Sequence, residues 1–246
     1  FDGSNFSVLI DTLAYNTYIT AFNSNMVVNE SFLDSATVRE NVVSLARNIG
    51  YVPSSRTAAK ARVSFNISTS QNTPTLTLQA GLVCVGSAND TSYTFSIPNN
   101  ISANVVNGVA SFNTTTLGNT VGISTGIEIY QGTFLTKQFV VDGSLDQRFI
   151  LNNSFIDTST ISVYVKGIND SGLGVEYSLV DNILEVNSTS KIYLLQEVQD
   201  EKYELLFGDG LIGQKLENNA LITVNYIVTN GEEGNGASSF SFAGTI

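Results

Sequence analysis

Histidine is absent from these 246 residues, and so is tryptophan; there is one cysteine and there are three prolines. Each shortage closes off a kind of chemistry. Without imidazole there is no Ser-His-Asp or Cys-His relay, and most catalytic zinc sites are out of reach. Without indole a sugar-binding aromatic platform is poorly supplied, although ten tyrosines remain. The lone Cys84 excludes an internal disulfide. It lies in the apolar run Gly81-Leu82-Val83-Cys84-Val85, which reads as strand and makes it a buried, inert thiol.

Charge is scarce as well. Charged residues make up 13% of the chain, and 11 Lys plus Arg face 22 Asp plus Glu for a net charge of −11. A nucleic-acid ligand needs basic residues to displace phosphate counterions, so none is expected. An anionic membrane surface is disfavoured for the same reason, and no apolar run approaches the roughly twenty residues of a bilayer span. The start, Phe1-Asp2-Gly3-Ser4, has neither an initiator Met nor a signal pattern and reads as the beginning of an excised piece.

What fills the space is Asn, Ser and Thr, a composition suited to β structure and turns. The first fifty residues differ. Phe6, Leu9, Ile10, Leu13, Ala14 and Thr17 recur at helical spacing, with Ser4 or Asn5 as N-cap, up to a polar break at Asn23-Ser24-Asn25. A second helix is expected from Ser35 or Thr37, with Thr37 and Glu40 as a capping box. Val38, Val42, Leu45, Ala46 and Ile49 give it one stripe, Arg47 suits its last turn, Gly50 its C′ position, and Pro53 stops it.

From about Thr57 the period becomes two. Ala61, Val63, Phe65 and Ile67 alternate with polar residues, and short runs follow at Thr75 to Cys84, Tyr93 to Ile97, Val105 to Phe112 and Gly126 to Tyr130. Beyond Phe134, Asp142-Gly143 marks a tight turn. Ile161, Val163 and Val165 alternate, as do Tyr177 to Val180 and Ile183 to Val186, and Lys191 to Val198 fits strand or short helix. Ala220 to Thr229 reads as strand, and Asn230 to Gly236 as a flexible turn or linker. The fold class is α+β, mainly β: a helical segment over 1–56, then two antiparallel β domains, sandwich-like or partial barrels, over 57–133 and 134–246, the second with a Gly-rich C-terminal linker.

Candidate chemistry is thin. Leu206 to Lys215 contains Gly208, Gly210 and Gly213 but lacks phosphate-loop spacing, so Asp209-Gly210 reads as a turn. Ser171-Gly172-Leu173-Gly174 is likewise a loop. Acids gather at Glu197, Asp200, Glu201, Glu204 and Asp209, and at Glu232 and Glu233. Paired carboxylates could serve glycoside cleavage, but a solvated acidic face is the simpler reading. A calcium-loop pattern is missing. No catalytic, cofactor or metal residue is assigned, and no small-molecule substrate is expected.

One segment is distinctive. Glu30-Ser31-Phe32-Leu33-Asp34, the Ala36 and Arg39 that follow, and Leu45-Ala46 with Gly50-Tyr51-Val52-Pro53 resemble the helical signature of J-like baseplate wedge proteins of contractile-tailed, T-even-like bacteriophages. Phe207-Gly208-Asp209-Gly210 with Gly213, the strand over 220–229 and Gly231 to Gly236 resemble the later part of the same domain set. The Ser/Thr/Asn-rich region between carries no matching motif. The resemblance implies a non-enzymatic structural part of the virion tail baseplate, assembled in the host cytoplasm. It implies a homodimer or ring with other wedge proteins, which rearranges to release sheath contraction. As interface candidates it points to Phe32, Leu33, Val38, Val42 and Leu45 around the second helix, and to Phe207, Leu211 and Ile212 in the glycine-rich loop. A secreted or cell-surface β-rich adhesin is the competing expectation on composition.

Overall fold

The structure, a computed structural model, describes residues 5–48, 55–88, 90–113, 126–144, 146–172, 174–180 and 186–246. The chain divides into two compact units, Phe1–Ser54 and Ser55–Ile246.

The first unit holds two helices, α1 (Asn5–Glu30) and α2 (Arg39–Asn48). Helix α1 runs unbroken through Asn23-Ser24-Asn25, where the sequence suggests an interruption. Asn and Ser cost a helix only a fraction of a kcal/mol each, and neither Gly nor Pro is present to stop it. Thr12, Thr17 and Thr20 each donate a hydroxyl hydrogen bond of 2.8 Å to the carbonyl four residues back, so their polar groups are satisfied within the helix. In α2 the buried residues are Val43 and Ala46, with Val42 and Leu45 half-buried beside them. Val38, expected in the stripe, is exposed. Ser4, Ile49, Gly50 and Pro53 lie outside the described residues.

The second unit contains two β modules. The first has a five-stranded sheet in the order β1 (Lys60–Val63), β8 (Ile127–Gln131), β5 (Thr91–Ile97), β4 (Gly81–Ala88) and β16 (Ser239–Phe242). Its second sheet has the order β2 (Phe65–Ser68), β7 (Val109–Phe112), β6 (Ile101–Val106) and β3 (Thr75–Leu78). The alternation from Ala61 to Ile67 reads as one strand. It splits at Ser64, because β1 pairs with β8 while β2 pairs with β7 in the opposite sheet. Both sheets enclose one core: Val83, Phe95, Ile97, Ile127 and Ile129 from one, Leu78, Ile101, Ala110 and Phe112 from the other. The run Val105 to Phe112 is a hairpin, not a single strand. Asn107 and Gly108 form its turn, both at positive φ (53° and 77°), as an Asn-Gly pair favours.

The other module is a seven-stranded sheet, in the order β10 (Phe149–Leu151), β14 (Lys202–Phe207), β13 (Ile192–Val198), β12 (Val175–Leu179), β11 (Ile156–Lys166), β15 (Leu221–Val228) and β9 (Thr133–Val140). It curls around Leu151, Ile156, Val163, Leu205, Ile222 and Val224. Among the described residues its pairs are antiparallel except β12 with β13, which run parallel over two residue pairs. Lys191 to Val198 is a strand rather than a helix. Asp142-Gly143 turns the chain, but β9 pairs with β15 and not with the next strand, so it closes no hairpin. Residues 181–185, including Ile183, lie outside the described residues.

Residues 230–236, expected as a turn or linker, are held in place. Gly231 and Gly234 are buried, and the chain beyond returns as β16 on the edge of the first module, beside β4. Gly86 makes room for this return: a Cβ there would come within 2.7 Å of the Phe240 ring, which stands edge-on to Phe95 at 5.1 Å.

Candidate functional site

The exposed apolar surface of the helical unit is its dominant feature. Phe6, Leu9, Ile10 and Leu13 occupy one side of α1, and Tyr15, Tyr18, Phe22 and Met26 follow along nearly the opposite side. Val27 and Val28 bring the apolar character back round. All ten are exposed, Phe22 at 56%. An amphipathic surface helix carries one stripe. This one is apolar around its girth over a length of roughly 39 Å. Among the described residues no helix is long and apolar enough to cross a membrane.

Phe32 and Leu33 extend the same surface past the end of α1, and both are exposed. The link between the two helices is built by Glu30. Its carboxylate accepts from Thr37 N–H (2.9 Å), Thr37 Oγ1 (2.8 Å), Val38 N–H (3.2 Å) and Asn41 Nδ2 (2.9 Å). It therefore caps α2 from nine residues before the helix start at Arg39, in place of the expected Thr37–Glu40 box. Ser35 turns away and donates to the Asn29 carbonyl at 2.6 Å. Four donors hold the Glu30 carboxyl down at about 2 from an ordinary 4.5, the Asn41 amide contributing most. The Glu of the Glu-any-Phe-Leu-Asp pattern thus sets how α1 meets α2.

A second exposed feature is the loop after β14. Asp209 Oδ1 accepts from Leu211 N–H (2.8 Å) and Ile212 N–H (2.9 Å), and the Ile212 and Leu211 amides hold its carboxyl below the usual range. Gly210 N–H donates to Gly213 O, Gly213 N–H to Asn187 O and Gln214 N–H to Ser190 O. Gly208 lies so close to Gly213 that no Cβ fits between them. The loop is fully tied, yet Leu211 is 80% exposed and Ile212 stands beside it in solvent. Phe207 is different. It is turned into its module's core, edge-on to Phe149 at 5.4 Å and to Tyr177 at 5.9 Å.

The acidic residues have separate local tasks. Glu204 is buried and takes a bidentate pair from Arg148, Nε at 2.7 Å and Nη2 at 2.6 Å, which holds its carboxyl below the ordinary value. Asp200 meets Lys202 at 3.2 Å, and Glu233 accepts from Asn230. Glu197 lies opposite Tyr203 across the β13–β14 pair. Strand alternation therefore sends it to the face opposite Glu204. A cleft of about 230 Å³ is lined by Asp170, Lys191, Lys215 and Glu217. Asp170 is already engaged there, accepting from Gly167 N–H at 2.9 Å. Cys84 is buried, and burial pushes its thiol pKa up.

The class of protein is thus a mainly β chain with a separate helical unit whose apolar side chains stand open. Residues 1–51 match the model of the baseplate wedge protein gp6-like helical domain, and residues 134–230 match that of the bacteriophage baseplate wedge protein gp6 third domain. The chain is 30% identical over 265 residues to baseplate wedge protein gp6 of Enterobacteria phage T4, an alignment that covers all of this chain and 37% of that relative. The chain belongs to the family of gp6-like baseplate wedge proteins. It spans little more than a third of the length of that relative.

Proposed function

We propose that this chain is a structural part of a phage tail baseplate, located in the virion, and that its helical unit is an assembly surface. The observation that carries the reading is the exposed girth of α1. Large apolar side chains presented on all sides of a helix are what an interface within a larger bundle requires. Membership of the wedge family supports it and favours it over a surface adhesin.

In this reading α1, Phe32, Leu33 and Val38 pack against a second copy or neighbouring wedge proteins in a dimer or ring. Half-buried Val42 and Leu45 support the surface from within α2. The tied loop bearing Leu211 and Ile212 is a second, smaller contact. The chain performs no catalysis; it holds position and passes on the rearrangement that releases sheath contraction.

Sedimentation equilibrium over a concentration series tests this. The intact chain is expected to associate, and Tyr18→Ser, Phe22→Ser and Met26→Ser together are expected to shift it to monomer with unchanged β circular dichroism. A chain that stays monomeric and binds no neighbouring wedge protein contradicts the proposal.

A further inference from the structure

We infer that the two β modules of residues 55–246 move as one rigid body, locked by a buried polar joint centred on Asp157 and Gln131. Modules joined within one chain ordinarily meet through small, polar, mobile interfaces. This joint is polar, and its central side chains Asp157, Gln131 and Thr229 are buried. Four passages of the chain meet there: the incoming segment 55–59, the crossing Gln131-Gly132, the start of β11, and the outgoing residues 228–231.

Asp157 is 1% exposed. One carboxylate oxygen accepts from Ala58 N–H (2.8 Å) and the other from Ser159 N–H (3.0 Å) and Ser159 Oγ (2.6 Å). Beside it, Thr158 N–H donates to Ser55 Oγ at 3.0 Å, and the two hydroxyls of these residues lie 2.8 Å apart. The Arg56 guanidinium sits 4.0 Å over the Phe155 ring. The segment leading into the first module is thus tied to the second at Ser55, Arg56 and Ala58.

Gln131 makes the reciprocal tie. It is 3% exposed, and its Oε1 accepts from Thr229 Oγ1 (2.7 Å) and Asn230 N–H (3.0 Å). Thr229 Oγ1 accepts in turn from Gly231 N–H, whose carbonyl takes the Ala59 N–H, while Gln131 N–H donates to Ala59 O. Gly132, at φ +138°, passes so close to the Val228 carbonyl that no side chain fits. Its own carbonyl accepts from Ser96 Oγ at 2.9 Å. Bending the joint would strand a buried carboxylate, a buried amide oxygen and several backbone N–H groups without partners. The property belongs to this chain's own contacts and does not depend on what the chain assembles with.

Double electron–electron resonance on the intact chain tests it, with Cys84→Ser as background. Spin labels go on Ser70→Cys in the first module and Asn169→Cys in the second, diluted with unlabelled chain. A single narrow distance distribution is expected. Asp157→Ala with Gln131→Ala should shift it to a broad one, while a pair within the second module, Asn152→Cys and Asn169→Cys, stays narrow. A broad or multi-peaked distribution in the chain with an intact joint overturns the inference, whether or not the altered joint folds. So does an unchanged narrow distribution in a folded chain lacking both side chains.

Discussion

Residues 5–48 and 55–246 handle apolar surface in opposite ways. The β unit closes two cores in which Phe112, Ile129, Leu151 and Ile222 are removed from water altogether. The helical unit buries Val43 and Ala46 and leaves most of its large apolar side chains in solvent. The β unit therefore carries the stability of the chain. The helical unit carries the exposed apolar surface that we propose is covered on assembly. Apolar residues of equal size should have very different effects in the two places.

Truncation in a closed core sharpens that contrast most. Phe112→Ala removes a ring stacked on Phe65 at 5.2 Å and should cost about 3–5 kcal/mol of stability in urea unfolding. The matching change Phe22→Ala in α1 should alter the stability of the dissociated chain by less than about 0.5 kcal/mol and appear instead as weaker association. Equal losses at the two sites would break the comparison.

Arg148→Ala should lower stability in urea unfolding, because it leaves the buried Glu204 carboxylate without its bidentate donor. The pH dependence has a definite sign. The folded pKa of Glu204 lies below its unfolded value, so the pair's contribution is present above the unfolded pKa and fades as pH falls through the folded one. Arg148→Ala should remove that part of the acid dependence.

Gly86→Ala tests the edge of the β unit. The added methyl meets Phe240, and the expected result is release of β16 with new protease cleavage beyond Gly236, at a cost of about 1–3 kcal/mol.

The smallest effect belongs to the link between the helices. Glu30 titrates at about 2 when folded against 4.5 ordinarily. Its cap is therefore complete above the ordinary value and lost as pH falls towards the lower one. Protection of the Thr37 and Val38 amides, taken relative to their intrinsic exchange rate at each pH, should fall as pH drops through that window, and Glu30→Gln should lower it already at neutral pH.

Much of this was legible locally. The period of Phe6, Ile10 and Leu13 predicts α1, and the alternation through Ile161, Val163 and Val165 predicts β11. Both patterns follow from side chains a few residues apart. The switch of sheets at Ser64 was hidden, because the alternation continues across it and only the partner strands differ. Glu30 was hidden for a related reason: a cap is sought within four residues of a helix start, and this one comes from further back. The joint lies at the far end of that scale, with Asp157 meeting Ala58 and Gln131 meeting Thr229 across 99 and 98 residues. No local pattern encodes such pairs. The exposed girth of α1 was visible as apolar residues, but the sequence read them as an ordinary stripe ended by a polar break. Exposure had to be seen in the fold.

Hydrogen exchange of the intact chain over a dilution series tests the division of labour most directly. Protection in residues 5–30 is expected to rise with concentration while the β cores exchange equally slowly throughout. Protection of α1 that does not change with concentration and is unaffected by neighbouring wedge proteins would contradict it.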